Sequence, residues 1–313
     1  MSTKIIAVVG ATGSQGGGLA RAILADPGGG FAVRAITRDA SSERARALAD
    51  LGAEVVEADI DNEAALDAVF AGAYGAYCVT FFWAHFSPDK EQAEARAMAR
   101  AAKEADLEHV IWSTLEDTRR FIPIENDGMP TLQGRFNVPH FDSKGEVNHV
   151  FTDAGVPVTF LQTSFYWDNF ILFGMGPKRQ DGTLVLTLPM GDKKLPGIVA
   201  EDIGRCAYAL FQHPESIGTT VSIAGEHLTG VQMAGAFSRA LGEDVAYNAV
   251  SPDVYRSFGF PGADDLGNMF QFKQEFEAEY CGARDLTVAR SLNPSMQTLD
   301  DWLAQNAGEL VLE

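Results

Sequence analysis

Lys4-Ile5-Ile6-Ala7-Val8-Val9-Gly10-Ala11-Thr12-Gly13-Ser14-Gln15-Gly16 is the stretch that decides the fold. Ile5 to Val9 is a continuous apolar run, the pattern of a strand buried on both faces of a parallel sheet. Glycines follow at once, and over 15–24 the residues take helical spacing. A strand, a glycine turn and a helix in that order set backbone N–H groups at a helix N-terminus, where a pyrophosphate can be held. Glycine supplies the φ freedom of the turn and lets a phosphate approach the backbone. Gly10, Ala11, Thr12, Gly13, Ser14, Gln15 and Gly16 are therefore candidate cofactor-binding residues. A plain structural turn matches the same glycine spacing. The strand before it, the helix after it and the further β-α units favour the phosphate loop.

Working outward, 31–37 reads as a second strand, and Ser41 or Ser42 can cap a helix running to Leu51. The spacing then predicts a strand over 54–58, a helix over 63–70, a strand over 76–80, a long Ala- and Glu-rich helix over 90–105, and a strand over 109–113. This alternation predicts an α/β fold: a Rossmann-type doubly wound parallel sheet with helices on both faces. Residues 116–139 hold Pro123, Pro130 and Pro139 and read as an irregular excursion near the strand ends, where such folds build their sites. A helix over 141–154 and a sixth strand over 156–161 follow. Beyond Thr163 short strands, prolines and helices mix, as in a smaller α+β C-terminal lobe. The expected division is a nucleotide-binding domain over 1–162, with a returning strand near 219–225, and an interleaved substrate or partner lobe over 163–313.

Arg38 lies about 22 residues beyond Gly16, where an acid favours the ribose hydroxyl of NAD and an Arg favours the 2′-phosphate of NADP. A guanidinium grips a phosphate with two hydrogen bonds. The neighbouring Asp39 competes with this reading, and Arg38 as a solvated loop residue is the plainer one. Asp59 and Ile60, after the third strand, can flank an adenine; an acid opening the next helix is the alternative. Thr80, Phe81 and Phe82 suit the middle of a dinucleotide, or packing. Tyr166, Trp167, Asp168 and Asn169 mix aromatic and polar groups as a nicotinamide pocket does, although the rings can simply pack. His140 and Lys144 are one helical turn apart and share a face. With Ser113 they form a candidate catalytic set. Each alone reads equally as an exposed polar residue.

The glycine stretch, Thr37-Arg38, His140-Phe141-Asp142-Ser143-Lys144-Gly145-Glu146-Val147, Phe260-Pro261-Gly262-Ala263 with Asn268-Met269-Phe270, and Leu299-Asp300-Asp301-Trp302-Leu303 together resemble the NmrA-like family. Its members are atypical short-chain dehydrogenase/reductase folds, and the resemblance covers nearly the whole chain. It implies cofactor contacts at Gly10 to Gln15, Arg38, Asp59, Ile60, Thr80 to Phe82, Lys144 and Tyr166 to Asn169. Ala93 stands where a cofactor-contacting Lys of a relative would fall. Ordinary members of the superfamily use a Tyr-x-x-x-Lys pair with a Ser. Here His140 stands at the Tyr position, Lys144 is kept, and Ser113 ends the fifth strand. The resemblance implies that Lys144 bonds the nicotinamide ribose. A His transfers protons near neutral pH, so the swap alone does not remove activity.

The composition fits this reading. Hydrophobic residues make up 46% and charged residues 21%, enough apolar material for a sizeable core. Lys and Arg number 24 against 43 Asp and Glu, a net charge of −19, which argues against nucleic acid and anionic lipid as partners. Cys78, Cys206 and Cys281 lie far apart with no CxxC pair, so neither a disulfide framework nor a metal site is expected. The first apolar run is too short for a signal-peptide core, and no stretch approaches the ~20 apolar residues of a membrane span. A cytoplasmic protein is expected. Its partners would be NADPH and either a regulatory protein or a small-molecule substrate; the oligomeric state is open. The expected function is an NADP(H)-binding redox or cofactor-state sensor or regulator with weak or no dehydrogenase activity. The alternative is an NADPH-dependent reductase of a quinone, enone or similar small electrophile. An interaction module with a vestigial cofactor site is a third reading, disfavoured by the intact phosphate loop.

Overall fold

A computed structural model of the chain describes residues 3–125 and 128–313. Residues 126 and 127 of the expected excursion lie outside the described residues. Two units divide the chain. The first takes Met1–Asp117, His140–Gln162 and Ile203–Val221; the second takes Thr118–Pro139, Thr163–Asp202 and Ser222–Glu313.

In the first unit the elements run β1 (Lys4–Val9), α1 (Ser14–Leu24), β2 (Phe31–Thr37), α2 (Glu43–Asp50), β3 (Glu54–Glu57), α3 (Glu63–Phe70), β4 (Gly75–Cys78), α4 (Pro88–Glu104), β5 (His109–Thr114), α5 (Pro139–Glu146), α6 (Asn148–Asp153) and β6 (Val158–Gln162). The sheet order is β6-β5-β4-β1-β2-β3, with the strand Thr220–Ser222 added outside β6. The pairs among the six numbered strands are parallel. This is the doubly wound order, in which β1 sits centrally and the connections leave in both directions from it.

The apolar run of β1 is what the centre of such a sheet requires. Ile6, Ala7 and Val8 are all fully buried, so both faces of the strand are covered. Ala7 and Val9 join Ala76, Cys78, Val110 and Trp112 in one core with side chains of α3, α4 and α6. On α1, Gly18 and Leu19 take the helix Ala200–Gln212 at backbone contact, because a Cβ on Gly204 would strike Leu19 N and the Gly18 carbonyl carbon. Because the strands are parallel, their C-terminal ends share one edge, and the turns after β1, β2 and β4 meet there.

Two expectations change in detail. The fourth strand ends at Cys78, so Thr80 lies in the turn beyond it. The helix expected over 141–154 is two helices, α5 and α6, stepping at Val147, whose ψ of 4° falls outside the α-helical range. The step follows Gly145, which packs directly on the chain after β5: a Cβ there would lie 2.5 Å from Asp117 N.

The second unit is α+β. Lys194–Ile198 pairs antiparallel with Glu226–Thr229 and parallel with Phe165–Tyr166. Thr183–Leu188 pairs antiparallel with Lys178–Gln180 and parallel with Val245–Ala249. Helices Gly230–Leu241, Ala263–Glu275 and Leu299–Asn306 follow, the first and last opened by reciprocal capping boxes at Thr229 and Thr298. Among the described residues, no helix is long and apolar enough to cross a membrane.

Candidate functional site

The turn from β1 to α1 is built for close approach. Gly10 sits at φ +65°, a left-handed conformation that only glycine adopts without strain. Gly13 is the N-cap of α1, with no side-chain cap and no acidic residue in the first turn. A Cβ on Gly13 would lie 3.1 Å from the Gly10 carbonyl oxygen; on Gly16 it would lie 2.5 Å from that oxygen and 2.9 Å from that of Val9. Gly16 is thus fixed by helix-on-strand packing, while Gly13 and Ser14 form the exposed lip of the turn. Ala11 N donates to Ile36 O at 3.1 Å, and the Thr12 and Thr37 hydroxyls lie 3.2 Å apart, tying this turn to the end of β2.

Arg38 follows directly. Its side chain is exposed and makes no hydrogen bond or ion pair among the described residues. The Asp39 carboxylate is turned into its own loop, where it accepts the Ser41 hydroxyl at 2.6 Å and the Ser41 N–H at 2.8 Å. Those bonds, the hydroxyl first, hold its pKa below the ordinary carboxylate value. Arg44, which the sequence reading passed over, reaches back from α2 to donate to Thr12 O at 3.3 Å, bringing a second guanidinium to this edge. Asp59 Oδ1 accepts Asp61 N–H at 3.0 Å, so one oxygen is engaged in the local turn. Ile60 packs partly against the core.

Gln15, on the first turn of α1, accepts the Ser113 hydroxyl at 2.8 Å and also the Tyr77 hydroxyl. The structure thereby joins a residue of the glycine turn's helix to one of the candidate catalytic residues. Tyr77 was missed because inside an apolar strand it reads as core.

Lys144 and His140 lie on α5, both with little exposure. The Lys144 ammonium pairs with Glu91 of α4 and donates to the Thr80 hydroxyl, which in turn donates to Glu91 Oε1. The ammonium also lies 5.4 Å from the ring centroid of Trp112. Burial alone would push Glu91 up. The Lys144 charge, with the facing His85 imidazole and hydrogen bonds from Lys144 and Thr80, outweighs it and holds the carboxyl at about 2. Glu91 too was missed, because an acid three residues after Pro88 reads as an ordinary helix-dipole residue. The His140 ring lies among Trp83 (4.8 Å between centroids), Phe141 (4.7 Å) and Phe82 (6.0 Å). Phe82 is buried, whereas Phe81 is exposed.

Tyr166, Trp167, Asp168 and Asn169 belong to the second unit. The Tyr166 hydroxyl lies 3.2 Å from that of Thr163, and burial pushes the phenol up to about 12. Trp167 is fully buried and parallel to Phe170 at 5.9 Å. Asp168 Oδ2 accepts Ala200 N–H at 2.8 Å, and burial raises its pKa. Asn169 opens the short helix Asn169–Leu172.

Comparison with known proteins places this geometry. The model of the NmrA-like family matches residues 2–303. The chain is 29% identical over 304 residues to the NmrA-like family domain-containing oxidoreductase FrzB of a Cladobotryum species, covering 89% of this chain and 86% of that one. Among solved structures, NmrA, a negative transcriptional regulator in complex with NADP, superposes with a TM-score of 0.80 at 27% identity, over 97% of this chain and 95% of that one. The same regulator has been solved with NAD. The Citrobacter triphenylmethane reductase complexed with NADP(H) shares the fold, with a TM-score of 0.75 at 19% identity over 97% and 99% of the two chains. The sheet order, the glycine turn and a family match that spans almost every residue agree, and the chain belongs to the NmrA-like family.

Proposed function

We propose that the first unit binds NADP(H) and that the protein reports the state of that cofactor, as a redox sensor or regulator with little or no dehydrogenase turnover. One observation carries the cofactor reading: Arg38, with no partner among the described residues, stands open beside a glycine turn tied to its own strand, while the competing Asp39 is engaged with Ser41. The regulator NmrA, solved with NADP and with NAD, supports a nucleotide at this edge. His140, standing for the usual Tyr and enclosed by aromatic rings, favours a sensor.

The second reading, an NADPH-dependent reductase of a quinone, enone or similar small electrophile, is favoured by the oxidoreductase name of FrzB and by the retained Lys144. In either role Lys144 would bond the nicotinamide ribose, and Ser113 would stand close to the reacting ring. Calorimetric titration tests the cofactor claim. Wild type should prefer NADPH to NADH by at least ~10-fold, the worth of one charged hydrogen-bonding partner, and Arg38→Ala should erase the preference. Equal affinities in wild type overturn it. NADPH oxidation against a panel of quinones and enones then separates the roles. Robust turnover that collapses by ~10²-fold or more in His140→Ala, with NADPH affinity spared, makes the protein a reductase using that ring as its acid.

A further inference from the structure

His85, Glu91 and Glu94 converge on one another behind Lys144, and no role is yet assigned to them. His85 precedes α4, and the two acids lie one turn apart on it. Each offers one polar atom within 4.8 Å of the others. His85 Nε2 lies 3.5 Å from Glu91 Oε2 and 3.8 Å from Glu94 Oε1. The Glu91 side chain has no solvent exposure and the Glu94 side chain is 7% exposed. Glu91 Oε2 and Glu94 Oε2 are buried without a hydrogen-bond partner.

The spacing resembles that of a metal site, but the imidazole opposes one. Its Nδ1 accepts the Ser87 backbone N–H at 3.0 Å, which leaves the ring proton on Nε2, facing the carboxylates. A metal needs the Nε2 lone pair, and metal-bound His normally donates from its other nitrogen rather than accepting there. The Lys144 ammonium against Glu91 adds a second repulsion. The array is better described as a carboxylate held on one oxygen by Lys144 and Thr80 and faced on the other by an imidazole N–H.

We infer that Glu91 is the positioning residue for Lys144, and that His85 and Glu94 form the bracket that sets how firmly Glu91 holds it. This rests on the reading of Lys144 as a nicotinamide-ribose ligand. Lys144 has four flexible side-chain carbons; pairing with Glu91 and Thr80 removes that freedom before a nucleotide arrives. Glu94 makes the bracket responsive to pH. Burial, then the Glu91 charge, pushes its pKa up to about 7. The charged and titratable groups facing it are Glu91 and Lys90 on its own helix, His85 before it, Asp61 ahead of α3, and Lys144 of α5 beyond Glu91. Above pH 7 a second negative charge appears beside Glu91, which opposes an anionic nucleotide held through Lys144.

The test is a double-mutant cycle read by NADPH affinity. Lys144→Ala should weaken binding ~10-fold or more in wild type, and ~3-fold or less in Glu91→Gln, because an unheld lysine has less to lose. Equal losses in the two backgrounds overturn the positioning role. If Lys144→Ala is silent, the ribose-ligand reading fails first and this inference falls with it. If Glu91→Gln does not fold, Glu94→Gln decides by its pH profile. Wild-type affinity should fall ~3-fold between pH 6 and 8 with an inflection near 7, and Glu94→Gln should flatten that fall, leaving only the titration of the 2′-phosphate itself. A profile unchanged in Glu94→Gln overturns the bracket. Zinc titrated into the wild-type protein should not bind tightly; tight binding lost in His85→Ala would assign the three side chains to a metal and overturn the inference.

Discussion

Gly16 and Gly13 are both glycines of one turn, yet they answer to different forces. A methyl on Gly16 meets backbone oxygens that cannot swing away, at 2.5 Å and 2.9 Å, whereas Gly13 sits exposed on the lip. Gly16→Ala should therefore cost stability, ~1–3 kcal/mol as for an overpacked core, with NADPH affinity falling because the turn itself has moved. Gly13→Val should leave circular dichroism nearly intact, lower the melt only modestly for its 3.1 Å approach to the Gly10 carbonyl oxygen, and remove NADPH binding, because its branched side chain fills the place of the phosphate. Thermal melts beside NADPH titrations check both; a Gly13→Val protein with wild-type affinity refutes the phosphate-loop assignment. At this scale the sequence was readable where position decides conformation, as at Gly10, whose left-handed φ the turn requires. It was silent at Glu91 and Tyr77, whose roles come from partners distant in the chain: Lys144 and Thr80 for one, Gln15 for the other.

Among the elements, α1 differs from the three helices that follow it, α2, α3 and α4. Glu43 opens α2, Glu63 opens α3, and Asp89 and Glu91 open α4, each acid placed where the helix dipole favours negative charge. The first turn of α1 has none. With Gly13 and Ser14 exposed, that end is open to a charge from outside, such as the proposed pyrophosphate. Ser14→Glu should keep or slightly raise the melting temperature of the nucleotide-free protein, by ~0.3–1 kcal/mol of dipole stabilisation, while weakening NADPH by ~10-fold or more. A stabilised variant that binds NADPH as well as wild type does would remove the pyrophosphate from this helix end. The strands were legible for a related reason: a central parallel strand must be apolar on both faces, and Ile5 to Val9 can hardly be read otherwise. The step between α5 and α6 was not legible. The helical spacing of apolar residues carries on past Val147, and the step follows Gly145, whose close approach to Asp117 is set by the fold rather than by neighbours in sequence.

For the whole molecule, the important feature is how often the chain leaves and re-enters its first unit. It passes from one unit to the other after Asp117, Pro139, Gln162, Asp202 and Val221. Residues 1–162 alone would lack the edge strand Thr220–Ser222 and the helix segment that lies on Gly18 and Leu19. Expressed as such a fragment, the nucleotide-binding unit should be aggregated or lack a cooperative melt, and should not bind NADPH. A monomeric, cooperatively folded fragment by gel filtration and calorimetry would show that the later segments are dispensable. The alternation of strands and helices announced the sheet, and the returning strand expected near 219–225 stands at its edge as Thr220–Ser222; the helix segment that returns with it was not legible, because its place is decided by what remains uncovered once the strands have paired.

Those passages also impose an order on synthesis. A ribosome delivers Gly10 to Gly16 among the first residues of the nascent chain, yet Gly204, whose backbone rests on the same helix, is some two hundred residues behind. Domains usually fold as units as they emerge, the earlier before the later. Here the earlier one must wait, its sheet unfinished at one margin and α1 uncovered along one side, until residue 222 has cleared the exit tunnel. By then the second unit's strands up to Ile198 have emerged while its long segment Ser222–Glu313 is still to come, so the unit that begins first in the chain closes only after much of the other has been made.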